Sequence, residues 1–198
     1  FFYIRNITEN CCWSAAYAPL NESPERYKVV FTPDKAVFER IDGDVETIME
    51  IAAASDDNVE IRKLQLKNNG EAACMLDVTS YFELVLAPGI SDQAHPAFSS
   101  LFIKTEYDSE HQALLACRRP RSQEDKEIWM AELPVICGDM TDDLQYETDR
   151  MQFIGRGHSV RNPLILERDR PLSNTVGAVL DPIISLRVRV NLEPDESA

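Results

Sequence analysis

The sequence is poor in the residues that most sharply announce chemistry. Three histidines, His95, His111 and His158, lie far apart, and no Cys-x-x-Cys pair occurs, so a zinc-ligand spacing is lacking. Five cysteines (Cys11, Cys12, Cys74, Cys117 and Cys137) make an odd set with one vicinal pair, a poor disulfide framework. Buried free thiols in a reducing cytosol are the expectation. No apolar run reaches the roughly 18 residues that a membrane helix needs. Phe1-Phe2-Tyr3-Ile4-Arg5 offers neither a basic leader nor a small-residue cleavage site. Cations are scarce: 20 Lys and Arg face 34 Asp and Glu, a formal net charge of -14. A surface this acidic repels phosphate backbones and anionic lipid, which argues against nucleic acid and direct membrane insertion. Nothing in the pattern asks for a cofactor or a metal.

What is present is alternation. Cys74, Leu76, Val78, Phe82, Leu84 and Leu86 share one face of a long segment, with Asp77, Thr79, Tyr81 and Glu83 on the other. Ile184, Leu186, Val188, Val190 and Leu192 alternate in the same way with Ser185, Arg187, Arg189 and Asn191. This period of two predicts half-buried strands, one face on the core and the other toward water or a second partner. Further strands are predicted over residues 2–7, 12–17, 27–31, 36–41, 45–53, 59–67, 101–107, 113–118 and 128–136. In 59–67 the apolar phase switches between Ile61 and Leu64, which suggests a bulge.

Turn residues separate the runs: Pro33-Asp34, Asp42-Gly43-Asp44, Asn68-Asn69-Gly70, Pro88-Gly89 and Cys137-Gly138-Asp139. Asp42-Gly43 and Asn69-Gly70 are the strongest hairpin signals. Helical period is nearly missing; residues 162–168 could form one turn, with Asn162 as cap and Pro163 at the first helical position. Residues 88–100 are the longest irregular stretch. Apolar residues at 44% and charged residues at 27% are an ordinary globular balance, against wholesale disorder. The predicted fold is therefore all-β: a large antiparallel β-sandwich over residues 1–198 as a single domain, with at most one short helix. Both ends read as cut from a longer, multidomain polypeptide.

Several blocks follow one another in a fixed order. They include Trp13-Ser14-Ala15, Tyr27-Lys28-Val29-Val30-Phe31, Ala36-Val37-Phe38-Glu39-Arg40 and Val78-Thr79-Ser80-Tyr81-Phe82-Glu83-Leu84. His95-Pro96-Ala97-Phe98-Ser99, Ala116-Cys117-Arg118-Arg119-Pro120-Arg121-Ser122 and Glu147-Thr148-Asp149-Arg150 follow. Phe153-Ile154-Gly155-Arg156-Gly157 and the stretch from Pro171 through Asn174 and Gly177 to Pro182 complete the series. The series resembles the β-sandwich domain that precedes the catalytic barrel in cyclic β-1,2-glucan synthases, relatives of the cellobiose and chitobiose phosphorylases. The resemblance implies a supersandwich of the galactose-mutarotase type. It also implies a separate (α/α) barrel in the same parent chain, carrying the general acid of an inverting phosphorolysis or glycosyl transfer. It places the parent in the inner membrane with this domain on the cytoplasmic side. The partners it implies are that barrel, β-glucan, and a second copy in a homodimer.

No catalytic residue is assigned within these residues. The candidate contacts to sugar or to a neighbouring domain are Arg118, Arg150 and Arg156. Arg118, Arg119 and Arg121 form the densest basic cluster, which could fork onto an anion or simply neutralise Glu124, Asp125 and Glu127. Gly155-Arg156-Gly157 lacks the Lys-Ser/Thr of a phosphate loop and reads as a tight turn. Trp13 and Trp129 could stack on pyranose rings or pack in the sheet. Asp181-Pro182 reads as a kink or edge position rather than an acid catalyst. Three roles remain open: a scaffold for the barrel, a stand-alone carbohydrate-binding module, and an oligomerisation domain.

Overall fold

The computed structural model describes residues 1–198 except Arg121, Gln123, Glu124, Asp125, Asp139 and Asp169, and the side chain of Ser91. Parts of the predicted basic cluster and its acidic neighbours (Arg121, Glu124, Asp125), and of the Cys137-Gly138-Asp139 turn, thus lie outside the described residues. Contacts divide the chain into two compact units. One comprises Phe1–Val78, Ile136–Asp143 and Arg189–Ala198, the other Thr79–Val135 and Leu144–Val188.

In the first unit, β1 (Phe2–Asn6) pairs antiparallel with β2 (Cys11–Ser14). Strands β3 (Arg26–Phe31), β4 (Ala36–Asp42), β5 (Val45–Ala53) and β6 (Glu60–Asn68) form an antiparallel sheet in chain order. Asp42 pairs with Val45, so Gly43 and Asp44 make a two-residue loop, and Gly43 takes the left-handed φ of 55° that this turn demands. Val45, Met49 and Leu66 face inward onto Ile4, Trp13, Ala15, Cys74, Leu76, Val190 and Leu192. The outward face carries ion pairs such as Lys28–Glu39 and Lys35–Glu50. The expected bulge in β6 is not there: its pairing with β5 runs unbroken from Val45↔Asn68 to Ala53↔Glu60. Ile61 lies on the outward face, where an apolar side chain mimics a change of phase.

The Asn69-Gly70 hairpin also fails. β6 pairs with β5, while β7 (Cys74–Ser80) belongs to another sheet, so this turn changes sheets. Asn68 shapes it by accepting from Gly70 N (2.9 Å) and donating to the carbonyls of Ala72 (2.8 Å) and Leu192 (3.0 Å). A side-chain turn of this kind carries the same sequence signal as a hairpin.

In the second unit, β9 (Ile103–Asp108), β10 (Ala113–Arg118) and β11 (Ile128–Glu132) form an antiparallel sheet with β10 in the middle. Its core gathers Leu84, Ile103, Leu114, Ala116, Leu144, Ile184 and Leu186. The short β8 (Phe82–Glu83) and β12 (Gln145–Asp149) pair with β13 (Pro182–Leu192). In the first unit, β7 lies beside β1. The all-β, antiparallel prediction holds. The limit of one short helix does not. The stretch read as irregular contains α1 (Gly89–Ala94) and α2 (Pro96–Ser100), and α3 (Arg150–Ile154) follows β12. The turn predicted at 162–168 is a single 3-10 turn, Leu164–Leu166, with Pro163 at its cap. Helices of five or six residues span too little of a helical period to be seen as one.

The expectation of half-buried strands also needs correction for β7 and β13. Their polar faces are buried as well: Asp77, Thr79, Ser185 and Arg187 all lie inside. Within the first unit, Arg189 forks onto Asp77 (2.7 and 3.0 Å) and reaches Asp142 (2.7 Å). Within the second, Arg187 donates to Thr79 Oγ1 (2.9 Å) and to the carbonyls of Arg170 (2.8 Å) and Ile165 (3.0 Å). Of the five thiols, all free, only Cys74 and Cys117 are buried, while Cys11 and Cys137 are exposed. The expectation of uniformly buried cysteines is corrected accordingly.

Arg40 is the largest fully buried side chain. Its Nε and Nη2 each donate to the Asp42 carboxylate at 2.6 Å, and Nη1 donates to the Ala16 carbonyl at 2.7 Å. Arg40→Ala strands that carboxylate and carbonyl, and should lower unfolding free energy by about 3–5 kcal/mol. Arg40→Lys keeps the charge but not the planar fork, and should still cost about 1 kcal/mol or more. Urea denaturation of the three proteins checks this; an unchanged midpoint for the alanine variant contradicts it.

Candidate functional site

Arg150 is the candidate around which the structure gathers other polar groups. It opens α3, whose entry and exit are both fixed locally. Asp149 caps the helix by accepting from Met151 N at 2.8 Å, and Gly155 ends it with a φ of 85°. A Cβ at Gly155 would stand 2.7 Å from that of Leu164, so a larger residue has no room there. The guanidinium Nε donates to the Tyr81 hydroxyl (3.2 Å) and to Glu83 Oε1 (3.1 Å), and Nη1 lies 3.6 Å from Asp181 Oδ2. The Tyr81 hydroxyl itself donates to Glu83 at 2.7 Å. Its ring packs on Phe153 of α3, centroids 4.9 Å apart.

The electrostatics are those of a paired surface cluster. Burial pushes the Tyr81 phenol well above its usual range; Glu83 adds to this by hydrogen bond and charge, and Arg150 opposes it. Burial also raises the Asp181 carboxyl, against Arg150 and with help from Glu83 and Asp149. Asp181 therefore belongs to this cluster, beyond the kink read from Asp181-Pro182. Pro182 does begin β13, where a missing N–H is tolerated, and a register shift in β12 falls between Glu147 and Asp149 opposite it.

The other candidates stand apart from this cluster. Arg118 donates to the Ser99 carbonyl (2.9 Å) and lies over the Phe102 ring at 5.5 Å, so it closes the end of α2. Arg119 does similar work on the Leu101 carbonyl at 3.0 Å. Arg156 sits exposed between Gly155 and Gly157 and makes no hydrogen bond or ion pair among the described residues. Trp13 is buried, its indole N–H donating to Thr47 Oγ1 at 3.2 Å, so it is a core residue. Trp129 is about half exposed.

Sequence reasoning missed β12 and what it holds. Glu147 is buried, and its carboxylate accepts from the N–H groups of Thr148 and Asp149 (3.0 Å each) and from the N–H and hydroxyl of Ser173 (3.2 and 2.6 Å). Asn174 exchanges hydrogen bonds with the Tyr146 backbone at 2.9 Å, and the Thr148 hydroxyl donates to the Thr175 carbonyl at 2.8 Å. The Pro171–Pro182 block is thus a strap tied to β12 by side chains. Asp149 with Gly155 was the readable signal for α3: a cap residue and a terminating glycine six positions apart.

Tyr81 yields a pH prediction. A group whose folded pKa exceeds its unfolded one contributes stability that is present below the ordinary tyrosine value of about 10 and is lost as pH rises through the folded value. Tyr81→Phe removes both the hydroxyl's hydrogen bonds and this dependence. The variant should be about 1 kcal/mol less stable near neutral pH. The gap should shrink as pH climbs above about 10, measured by urea unfolding of both proteins. A gap that widens with pH contradicts the assignment.

Comparison with known proteins identifies the architecture. The family model of the glycosyl hydrolase 94 supersandwich domain matches residues 1–198. The chain is 34% identical over 187 residues to the cyclic beta-(1,2)-glucan synthase NdvB of Rhizobium meliloti (strain 1021), covering 94% of this chain and 7% of that protein. It spans a small part of that relative's length. The antiparallel sheets, the missing helical period and the chain-long match agree: this chain belongs to the glycosyl hydrolase 94 supersandwich domain family.

Proposed function

We propose that residues 1–198 act as one non-catalytic β-sandwich domain that supports a separate (α/α) barrel of the same parent chain, in an enzyme that makes or processes β-1,2-glucan. The domain bounds follow the family match, which takes in both compact units. One observation carries the reading: the polar groups that most resemble reactive machinery are already engaged in holding the fold. Glu147 is occupied by four donors, and Arg150 by Tyr81, Glu83 and Asp181. Inverting hydrolysis or phosphorolysis requires an acid poised across an open sugar site. Here Glu83 and Asp181 face Arg150 instead, and Glu147 is held by backbone N–H groups and Ser173.

The kinship supports the rest. A relative named as a cyclic beta-(1,2)-glucan synthase, of which this chain spans 7%, supports the choice of substrate class and leaves ample length for a separate catalytic domain. No helix among the described residues is long and apolar enough to cross a membrane. We place the domain on the cytoplasmic side of a membrane-embedded parent. Arg150, which opens α3, and Arg156, just past the Gly155 that ends it, are the proposed contacts to the barrel or to glucan, and Arg118 positions α2 for the same surface role.

The test is direct. The 198-residue chain, incubated with β-1,2-glucan or cellobiose and inorganic phosphate, should release no sugar phosphate above a buffer control. Sustained turnover by this chain would overturn the proposal.

A further inference from the structure

The outward face of the β9–β11 sheet carries a feature that the supporting role leaves unused. Strand register sets Trp129 of β11, Cys117 of β10 and Lys104 of β9 in one row, and Ala131, Leu115 and Glu106 in the next. The opposite face sends Ile103, Leu114, Ala116 and Met130 into the core, so this row faces away from it. Trp129 is 52% exposed, unusual for so large an apolar side chain, and its indole N–H donates to Glu127 at 3.4 Å. Across the sheet, Lys104 and Glu106 are ion-paired at 2.5 Å and roughly half exposed. Strands about 4.8 Å apart put Lys104 roughly 10 Å from Trp129, about the span of two pyranose rings. The floor between them is low: Cys117 is small and buried beneath its neighbours, Ala131 is small and exposed, and Leu115 is half-buried.

We propose that this face is a saccharide platform, in which one β-linked glucose ring stacks on Trp129 and its neighbour reaches Lys104 and Glu106. The indole face is electron-rich, and the C–H face of an equatorially substituted pyranose is apolar with slightly positive hydrogens, so the two match. The hydroxyls around the ring's edge need donors and acceptors, which Lys104, Glu106 and Glu127 provide. The Cys117 thiol records their convergence. Burial pushes its pKa up; the Glu127 and Glu106 charges add to this and Lys104 opposes it. Two carboxylates against one ammonium disfavour an anionic ligand and suit a neutral sugar. A protein-docking patch would be charge-depleted at its centre, whereas here charges stand on both sides of the aromatic. The platform rests on geometry; the choice of a β-glucan as ligand rests on the proposed role above.

The experiment titrates the 198-residue chain with β-1,2-linked glucobiose and glucopentaose, followed by calorimetry and intrinsic fluorescence. The chain has two tryptophans and Trp13 is buried, so an emission change reports on Trp129. Saturable binding is expected, tighter for the pentaose. Trp129→Ala should weaken it by about tenfold or more, and Lys104→Ala by about threefold, with unfolding midpoints close to the parent's because both side chains are exposed. No saturable binding by the parent chain overturns the proposal. So does binding that Trp129→Ala leaves unchanged, or a Trp129→Ala variant whose only change is in self-association, which would make the face a protein contact. The outcome is separable from the supporting role. Absent sugar binding leaves the lack of turnover intact, and turnover would leave the Trp129 titration readable.

Discussion

A guanidinium taken out of water must find a full set of acceptors, and this constraint organises the centre of each unit. Strands β7 and β13 are apolar on one face, as any core strand is, but their second faces are buried too. That second burial is tolerable in the first unit because the buried Asp77 carboxylate finds the partly exposed Arg189, which also reaches Asp142. Arg187 finds Thr79 and two main-chain carbonyls within the second. Irregular segments become indispensable under this constraint. The Ile165 and Arg170 carbonyls are acceptors only because the chain around the 3-10 turn passes over the sheet. Arg40 repeats the pattern in the four-stranded sheet, with Asp42 and the Ala16 carbonyl as its acceptors. Breaking such a set leaves charge or carbonyl dry, which is far more damaging than losing a surface pair.

The same logic separates architecture from function. Glu147, read as a lone acid in a sequence block, could be taken for chemistry. With four donors around it, it is a staple that fixes the strap ending at Pro182. Arg150 is intermediate: it ties β8, α3 and the residue before β13 together, yet remains partly accessible. Trp129 differs in kind. It is a large apolar side chain about half exposed on a sheet's outward face.

Much of the strand pattern was legible because a period of two and Gly-Asp chemistry act locally. β3, β4, β5 and β10 follow from their own residues, and Gly43 sits where the two-residue loop requires a left-handed backbone. The misreadings have local causes as well. Ile61 is an apolar residue on an outer face, indistinguishable in sequence from a phase change. Asn68-Asn69-Gly70 turns the chain without pairing the strands it joins, and turn residues carry no information about which sheet follows. Helices α1 to α3 are shorter than two turns, so only caps such as Asp149 betray them. Of the candidate contacts, Arg150 is joined to partners 67 and 69 positions away in the chain, which no spacing rule anticipates.

The sequence by itself determined the fold class, most strand positions, the acidic surface and the family, since alternation, turn chemistry and ordered blocks are properties of short stretches read in series. Tertiary structure alone decided that the polar faces of β7 and β13 are covered, that Glu147 and Arg187 are structural, that Trp13 is core and that Trp129 is not. Those outcomes depend on which distant segments come to rest against a given face. Burial is a property of the neighbour as much as of the residue, and the neighbour is chosen only when the chain closes on itself.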